Sequence, residues 1–121
     1  MLNGLLLLIT IIGAISYYEE APSVATLNYR CDIGDIDCDI DTMPDSFVAV
    51  ADCSLIGKHG TITFEDGLTI TTQVFDCSGN DGVDEDGVSF LTASGIAFEF
   101  DYASYLAYGN EGTATLEIYD E

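Results

Sequence analysis

Positive charge is what this chain lacks most. Arg30 and Lys58 are its only strong cations, set against 22 Asp and Glu, for a formal charge of −20 over 121 residues. A field of that sign repels phosphate backbones and anionic headgroups, so no nucleic-acid partner is expected. Histidine occurs once, as His59 in the turn-like stretch Gly57-Lys58-His59-Gly60, which is expected to be exposed. A nucleophile–base pair needs a histidine fixed by the fold, and nothing in the sequence fixes this one. No Gly-rich phosphate loop opens a helix, and there is no Asn-x-Ser/Thr sequon. Carboxylates abound, but abundance is not placement, so the chain is not read as an enzyme. Cys-x-x-Cys is missing as well, which speaks against structural zinc.

What remains is a foldable acidic chain. Hydrophobic residues make up 48% of it, enough for one domain with a single modest core and too many for a disordered acidic tail. Such a composition suits a salt-adapted protein, or a secreted one living with calcium. Cys31, Cys38, Cys53 and Cys77 form an even set, and disulfides are the leading reading. Of the three possible pairings, Cys31 with Cys38 and Cys53 with Cys77 is favoured. The first closes a short loop and the second ties two strand ends.

Leu5 to Ile15 is an apolar run with one hydroxyl and no charge. It must be buried as a cleaved signal, as a membrane anchor or at a seam between subunits. It lacks the Lys or Arg of a secretory n-region, and it barely reaches the length of a bilayer span. Helix and strand are both open, because both faces are apolar. Tyr17 and Tyr18 mark an amphipathic border, Glu19-Glu20 mark solvent, and Pro22 is expected to kink or end a helix near Ala21. The run Leu5-Leu-Leu-Leu-Ile-Thr-Ile-Ile-Gly-Ala-Ile15, with Pro22 beyond it, resembles the start of a mature type IV pilin. That resemblance implies a helix that holds the subunit in the membrane and then packs in a filament core. Two departures stand against it: Leu5 sits where the family usually carries Glu, and the long amphipathic continuation of the helix is missing. The rival is a donor strand completing a neighbour's sheet. Both readings make Leu5, Leu6, Leu7, Leu8, Ile9, Ile11, Ile12 and Ile15 the assembly surface of a homopolymer, with a possible transient stay in the membrane.

From Ser23 onward the signals are β. Val24 to Cys31 reads as a strand, and Phe47 to Cys53, apolar on both faces, reads as a central one. In Thr61 to Phe75 a three-residue loop, Glu65-Asp66-Gly67, pairs Ile62 with Ile70 and Phe64 with Leu68. This register gathers Ile62, Phe64, Leu68, Ile70 and Val74 on one face, with Gly67 as the left-handed loop residue. A like hairpin is read from Val88 to Phe100, pairing Phe90 with Phe98 and turning Glu99 and Asp101 outward. Tyr102 to Tyr108 is ambiguous, and its tyrosines fill a core edge or a subunit contact. Thr113 to Tyr119 closes the chain with Ala114, Leu116 and Ile118 inward. About seven short strands at even spacing predict an antiparallel β-sandwich over residues 23–121, carrying an apolar helix or donor strand in residues 1–22.

Two acidic stretches are candidate calcium loops. Asp35-x-Asp37-x-Asp39 opens like an EF-hand loop, but Ile40 and Ser46 stand where Gly and Glu are required. Asp76, Asn80, Asp81, Asp84 and Asp86, interleaved with glycines, are the better ligand set; solvated loops would have the same composition. The sequence therefore predicts an exported, disulfide-stapled filament or pilus subunit at the cell surface. The alternative is a secreted or surface-anchored calcium-binding module.

Overall fold

The computed structural model describes residues 7–77, 96–108 and 113–119. In chain order these form β1 (Leu7–Tyr17), α1 (Glu20–Ile33), β2 (Ser46–Val50), a 3-10 turn (Cys53–Leu55), β3 (His59–Phe64), β4 (Thr69–Cys77), β5 (Ile96–Phe100), α2 (Tyr102–Tyr108) and β6 (Thr113–Tyr119). The strands close into a barrel in the order β1-β5-β2-β4-β3-β6. The β1–β5 and β2–β4 pairs are parallel and the other four are antiparallel.

The expected sandwich is thus corrected to a closed barrel. Strand alternation says which residues face inward, but not whether a sheet closes. Here β1 closes it, lying between β6 and β5. The apolar N-terminal helix is corrected too: Leu7–Tyr17 is a strand, and it completes this chain's own barrel. Among the described residues no helix is long and apolar enough to cross a membrane.

A second correction concerns Val24 to Cys31, which lies in helix α1 rather than in a strand. Ser23, Leu27 and Cys31 recur at every fourth position, and these are the residues α1 turns toward the barrel. Pro22 does not end the helix but sits in its first turn, where no intrahelical N–H is missed. Arg30 lies in the last turn. Gly34 then stops the helix in the left-handed conformation (φ 80°), its N–H turned back to the carbonyls of Arg30 and Cys31.

Inside the barrel, Val48, Ile62, Val74, Phe98, Phe100 and Leu116 are fully buried. Ile11 and Ile15 of β1 pack on this core from one side and Tyr105 of α2 from an end. A smaller cluster lies outside the wall. Phe47, Ala49 and Phe75 meet Ile36, Leu27, Cys31 and Tyr18 there, so β2 is buried on both faces, as its sequence predicts.

The β3–β4 hairpin has the expected register. Ile62 pairs with Ile70, the Phe64 N–H donates to Leu68 O at 2.8 Å, and Gly67 takes φ 93°. Of its five predicted inward residues only Leu68 is exposed. Ala114, Leu116 and Ile118 of β6 are buried as expected. The partners predicted for β5 between Val88 and Thr92 lie outside the described residues.

Asp101 departs from expectation. It is buried, because β5 ends at Phe100 and the chain turns into α2. Its carboxylate accepts from the Phe47 N–H at 3.3 Å and from the Ser104 N–H and hydroxyl, joining α2 to β2. Both disulfides have the predicted pairing, Cys31–Cys38 and Cys53–Cys77.

Candidate functional site

The outer wall carries a polar row across four neighbouring strands. Ser16 of β1 is in register with Glu99 of β5, Glu99 with Ala49 of β2, and Ala49 with Asp76 of β4. Glu99 points outward because Phe98 and Phe100, on either side, fill the barrel. Ala49 presents only a methyl group between the two carboxylates. Their backbones stand two strand spacings apart, about 10 Å.

Tyr18 and Arg30 complete the site. The Tyr18 N–H donates to Phe100 O at 2.8 Å, fixing the end of β1, and the Tyr18 hydroxyl donates to Asp76 Oδ2 at 2.7 Å. Its ring leans on Phe75. Arg30 reaches down from α1 to three acceptors: Asp76 Oδ1 at 3.2 Å, Asp35 Oδ2 at 2.9 Å and Phe75 O at 3.0 Å. One of the chain's two strong cations is therefore held at this site.

The electrostatics are uneven along the row. Burial pushes the Glu99 carboxyl up; the Ser16 hydroxyl bond opposes this, and the charge of Asp76 adds to it. Burial also raises the Tyr18 phenol, and its bond to Asp76 raises it further, so it stays a donor at any physiological pH. Arg30 is raised: burial works against its charge, but the bonds to Asp35 and Asp76 outweigh that. The row therefore sets two hydroxyls, each bonded to a carboxyl group of the row, beside one carboxyl, Glu99, that burial makes readier to take up a proton.

Of the predicted calcium ligands, Asp76 lies in this row, with both oxygens already engaged by Tyr18 and Arg30. Asn80, Asp81, Asp84 and Asp86 lie outside the described residues. Among the described residues no three His, Cys, Asp or Glu are grouped to hold a metal ion. Asp37 and Asp39 of the first acidic stretch cap their own turns, accepting from the N–H groups of Asp39 and Asp41. His59 is exposed, at the start of β3. Of the predicted assembly residues, Leu7, Leu8, Ile9 and Ile12 are exposed, and Ile11 and Ile15 face the core. Leu5 and Leu6 lie outside the described residues.

Ser16, Tyr18 and Arg30 were not singled out from the sequence. A signal was there: Ser16 and Tyr18 are two apart, as one strand face requires, and Arg30 is a rare cation in a helix's last turn. Comparison with known protein families, curated proteins and solved structures finds no match to this chain.

Proposed function

We propose that this chain is an exported, disulfide-stapled barrel that acts as a binding module, taking a neutral, hydroxyl-rich ligand such as a sugar on the row formed by Ser16, Tyr18, Glu99 and Asp76. The observation that carries this reading is the register that lines Ser16, Glu99 and Asp76 up across the wall, with Ala49, buried in the outer cluster with Tyr18, between them. The two disulfides fit an oxidising compartment. A net charge of −20 turns away polyanions and leaves neutral or cationic ligands. Arg30 already balances Asp76, which lowers the row's demand for a further cation. The Ser16 and Tyr18 hydroxyl oxygens, whose protons go to Glu99 and Asp76, keep lone pairs that can accept from a ligand's hydroxyl groups.

Titration of the protein with neutral oligosaccharides and, separately, with calcium chloride, followed by backbone NMR, tests this. The expected result is a set of saccharide-induced shifts centred on Ser16, Tyr18 and Glu99 and lost in Glu99→Gln. Shifts with calcium alone would favour the calcium module; no shift at these residues with any saccharide sinks the reading.

The filament subunit is the second reading. It is favoured by one observation, the exposure of Leu7, Leu8, Ile9 and Ile12 on a single strand.

A further inference from the structure

We infer that the stacked rings of Tyr17 and Tyr105 are an oxidative cross-linking site: a one-electron oxidant of the haem-peroxidase class, fed by hydrogen peroxide, joins them through their ortho carbons as a dityrosine within the chain. The inference stands apart from the binding row and uses none of its residues.

Three observations carry it. The first is the geometry of the pair. The ring centroids are 3.8 Å apart and the planes lie 14° from parallel. A phenoxyl radical carries its unpaired spin on the oxygen and on the ortho and para carbons, in orbitals that stand perpendicular to the ring. Two such rings couple face to face, so a near-parallel stack gathers the reacting carbons before any oxidation takes place. Among the described residues no other two tyrosine rings are in contact, and Tyr18 leans on Phe75, which has no phenol to oxidise.

Second, both rings stand on anchored backbone. Tyr17 is in register with Phe100, and the N–H of the next residue, Tyr18, donates to Phe100 O at 2.8 Å. On the other side the Tyr105 N–H donates to Asp101 O at 3.0 Å, and the Tyr102 N–H donates to Ser23 Oγ at 2.9 Å. The Asp101 carboxylate in turn holds the Phe47 N–H of β2.

Third, the pair favours coupling within one chain. Tyr17 is 44% exposed, so an oxidant meets its ring, while Tyr105 packs against the barrel core behind it. A radical formed on Tyr17 already touches its partner. A second chain must approach against a like charge of −20. The oxidising compartment that the two disulfides fit is also where such a bond would form.

The step balances. Each phenol gives up one electron and one proton. A carbon–carbon bond forms between the two ortho carbons, and the hydrogen on each then moves to the phenol oxygen as the ring regains aromaticity. Hydrogen peroxide takes the two electrons and two protons and leaves as two waters. The product fastens the closing strand β1 to α2.

Treating the dilute full chain with a haem peroxidase and hydrogen peroxide, then reducing the disulfides and cutting with trypsin, tests the inference. Arg30 and Lys58 are the only cleavage sites, so Tyr17 falls in residues 1–30 and Tyr105 in residues 59–121. The expected product is a monomer with dityrosine fluorescence, in which these two fragments are joined and lighter than their sum by two hydrogen atoms. Fragmentation in the mass spectrometer is expected to place the bond at Tyr17 and Tyr105. Tyr17→Phe and Tyr105→Phe keep both rings, and each is expected to lower the yield by roughly tenfold or more. Tyr29→Phe removes another phenol from the first fragment and is expected to leave the yield unchanged. A bond mapped to other tyrosines, a yield that survives Tyr17→Phe, dityrosine found only between chains, or no dityrosine at all overturns the inference.

Discussion

The Tyr18 hydroxyl donates to Asp76 at 2.7 Å, tying the end of β1 to β4 across 58 residues of sequence. The barrel's closing strand is thereby fastened to a strand it does not pair with. Removing the hydroxyl in Tyr18→Phe keeps the ring on Phe75 and leaves Asp76 with Arg30 alone. A loss of about 1–2 kcal/mol is expected, in the range of a bond to a charged acceptor that water partly reaches. Arg30→Leu is expected to cost more, because Asp35, Asp76 and Phe75 O all lose a donor. Urea midpoints of the two variants check the order.

Glu99 sets a pH dependence. Its carboxyl is raised in the folded protein, first by burial. A raised carboxyl binds protons more readily folded than unfolded, so its contribution is complete below the unfolded pKa and is lost as pH rises through the folded one. Glu99→Gln, which cannot ionise, is therefore expected to gain stability over the parent as pH rises from about 4 toward neutrality, and to match it in acid. Asp52 acts oppositely: bonds from the Ser54 hydroxyl and N–H lower its carboxyl, so its exposed, small contribution is lost as pH falls. Unfolding midpoints of parent and Glu99→Gln across this range decide it. A parent that outlasts the variant at pH 7 would contradict the raised carboxyl.

Gly60 and Gly34 make a paired test of why glycine is present. A Cβ at Gly60 would overlap the Glu117 carbonyl oxygen and come within 3.3 Å of the Ile118 Cα, both backbone of β6. Only glycine lets β3 and β6 lie that close. Gly60→Ala is expected to cost about 1–3 kcal/mol through forced separation of the strands. At Gly34 the space is open and the constraint is φ 80°, so Gly34→Ala should cost about 1 kcal/mol of left-handed strain. Thermal unfolding of the two variants separates steric from conformational cost, with Gly60→Ala the lower in Tm.

The strands that sequence reading found are those whose alternation is clean. Ile62, Phe64, Ile70 and Val74, and then Ala114, Leu116 and Ile118, face inward as their period requires. The cysteine pairing was legible because Cys31 and Cys38 lie only 7 residues apart, while Cys53 and Cys77 each follow a strand whose alternation the sequence shows. Two things were not legible. Val24 to Cys31 has β-branched and aromatic residues that suit a strand locally, but the contact of Ser23, Leu27 and Cys31 with the barrel settles it as a helix. Closure was hidden as well, since it depends on β1 pairing with β6 about a hundred residues away, which no local pattern encodes. The polar row follows closure: Ser16 meets Glu99 only once β1 lies beside β5.

The two disulfides should contribute unequally. Cys53–Cys77 closes a separation of 24 residues and Cys31–Cys38 one of 7. If the main effect is to limit the unfolded chain, loop entropy assigns about 3.5 kcal/mol to the longer loop and about 2.4 to the shorter. Their surroundings point the same way. Cys53–Cys77 joins the end of β4 to the turn after β2, next to the buried Leu55. The Cys31–Cys38 loop has other ties to the wall, through the Asp35–Arg30 pair, the buried Ile36 and the Asp37 N–H on Gln73 Oε1. Replacing Cys53 and Cys77 by Ser is therefore expected to lower stability by about 1 kcal/mol more than replacing Cys31 and Cys38. Urea unfolding of the two double variants measures the difference. Equal losses would mean that the unfolded chain is already compact around β2 and β4, so that the longer bridge restricts it no more than the shorter.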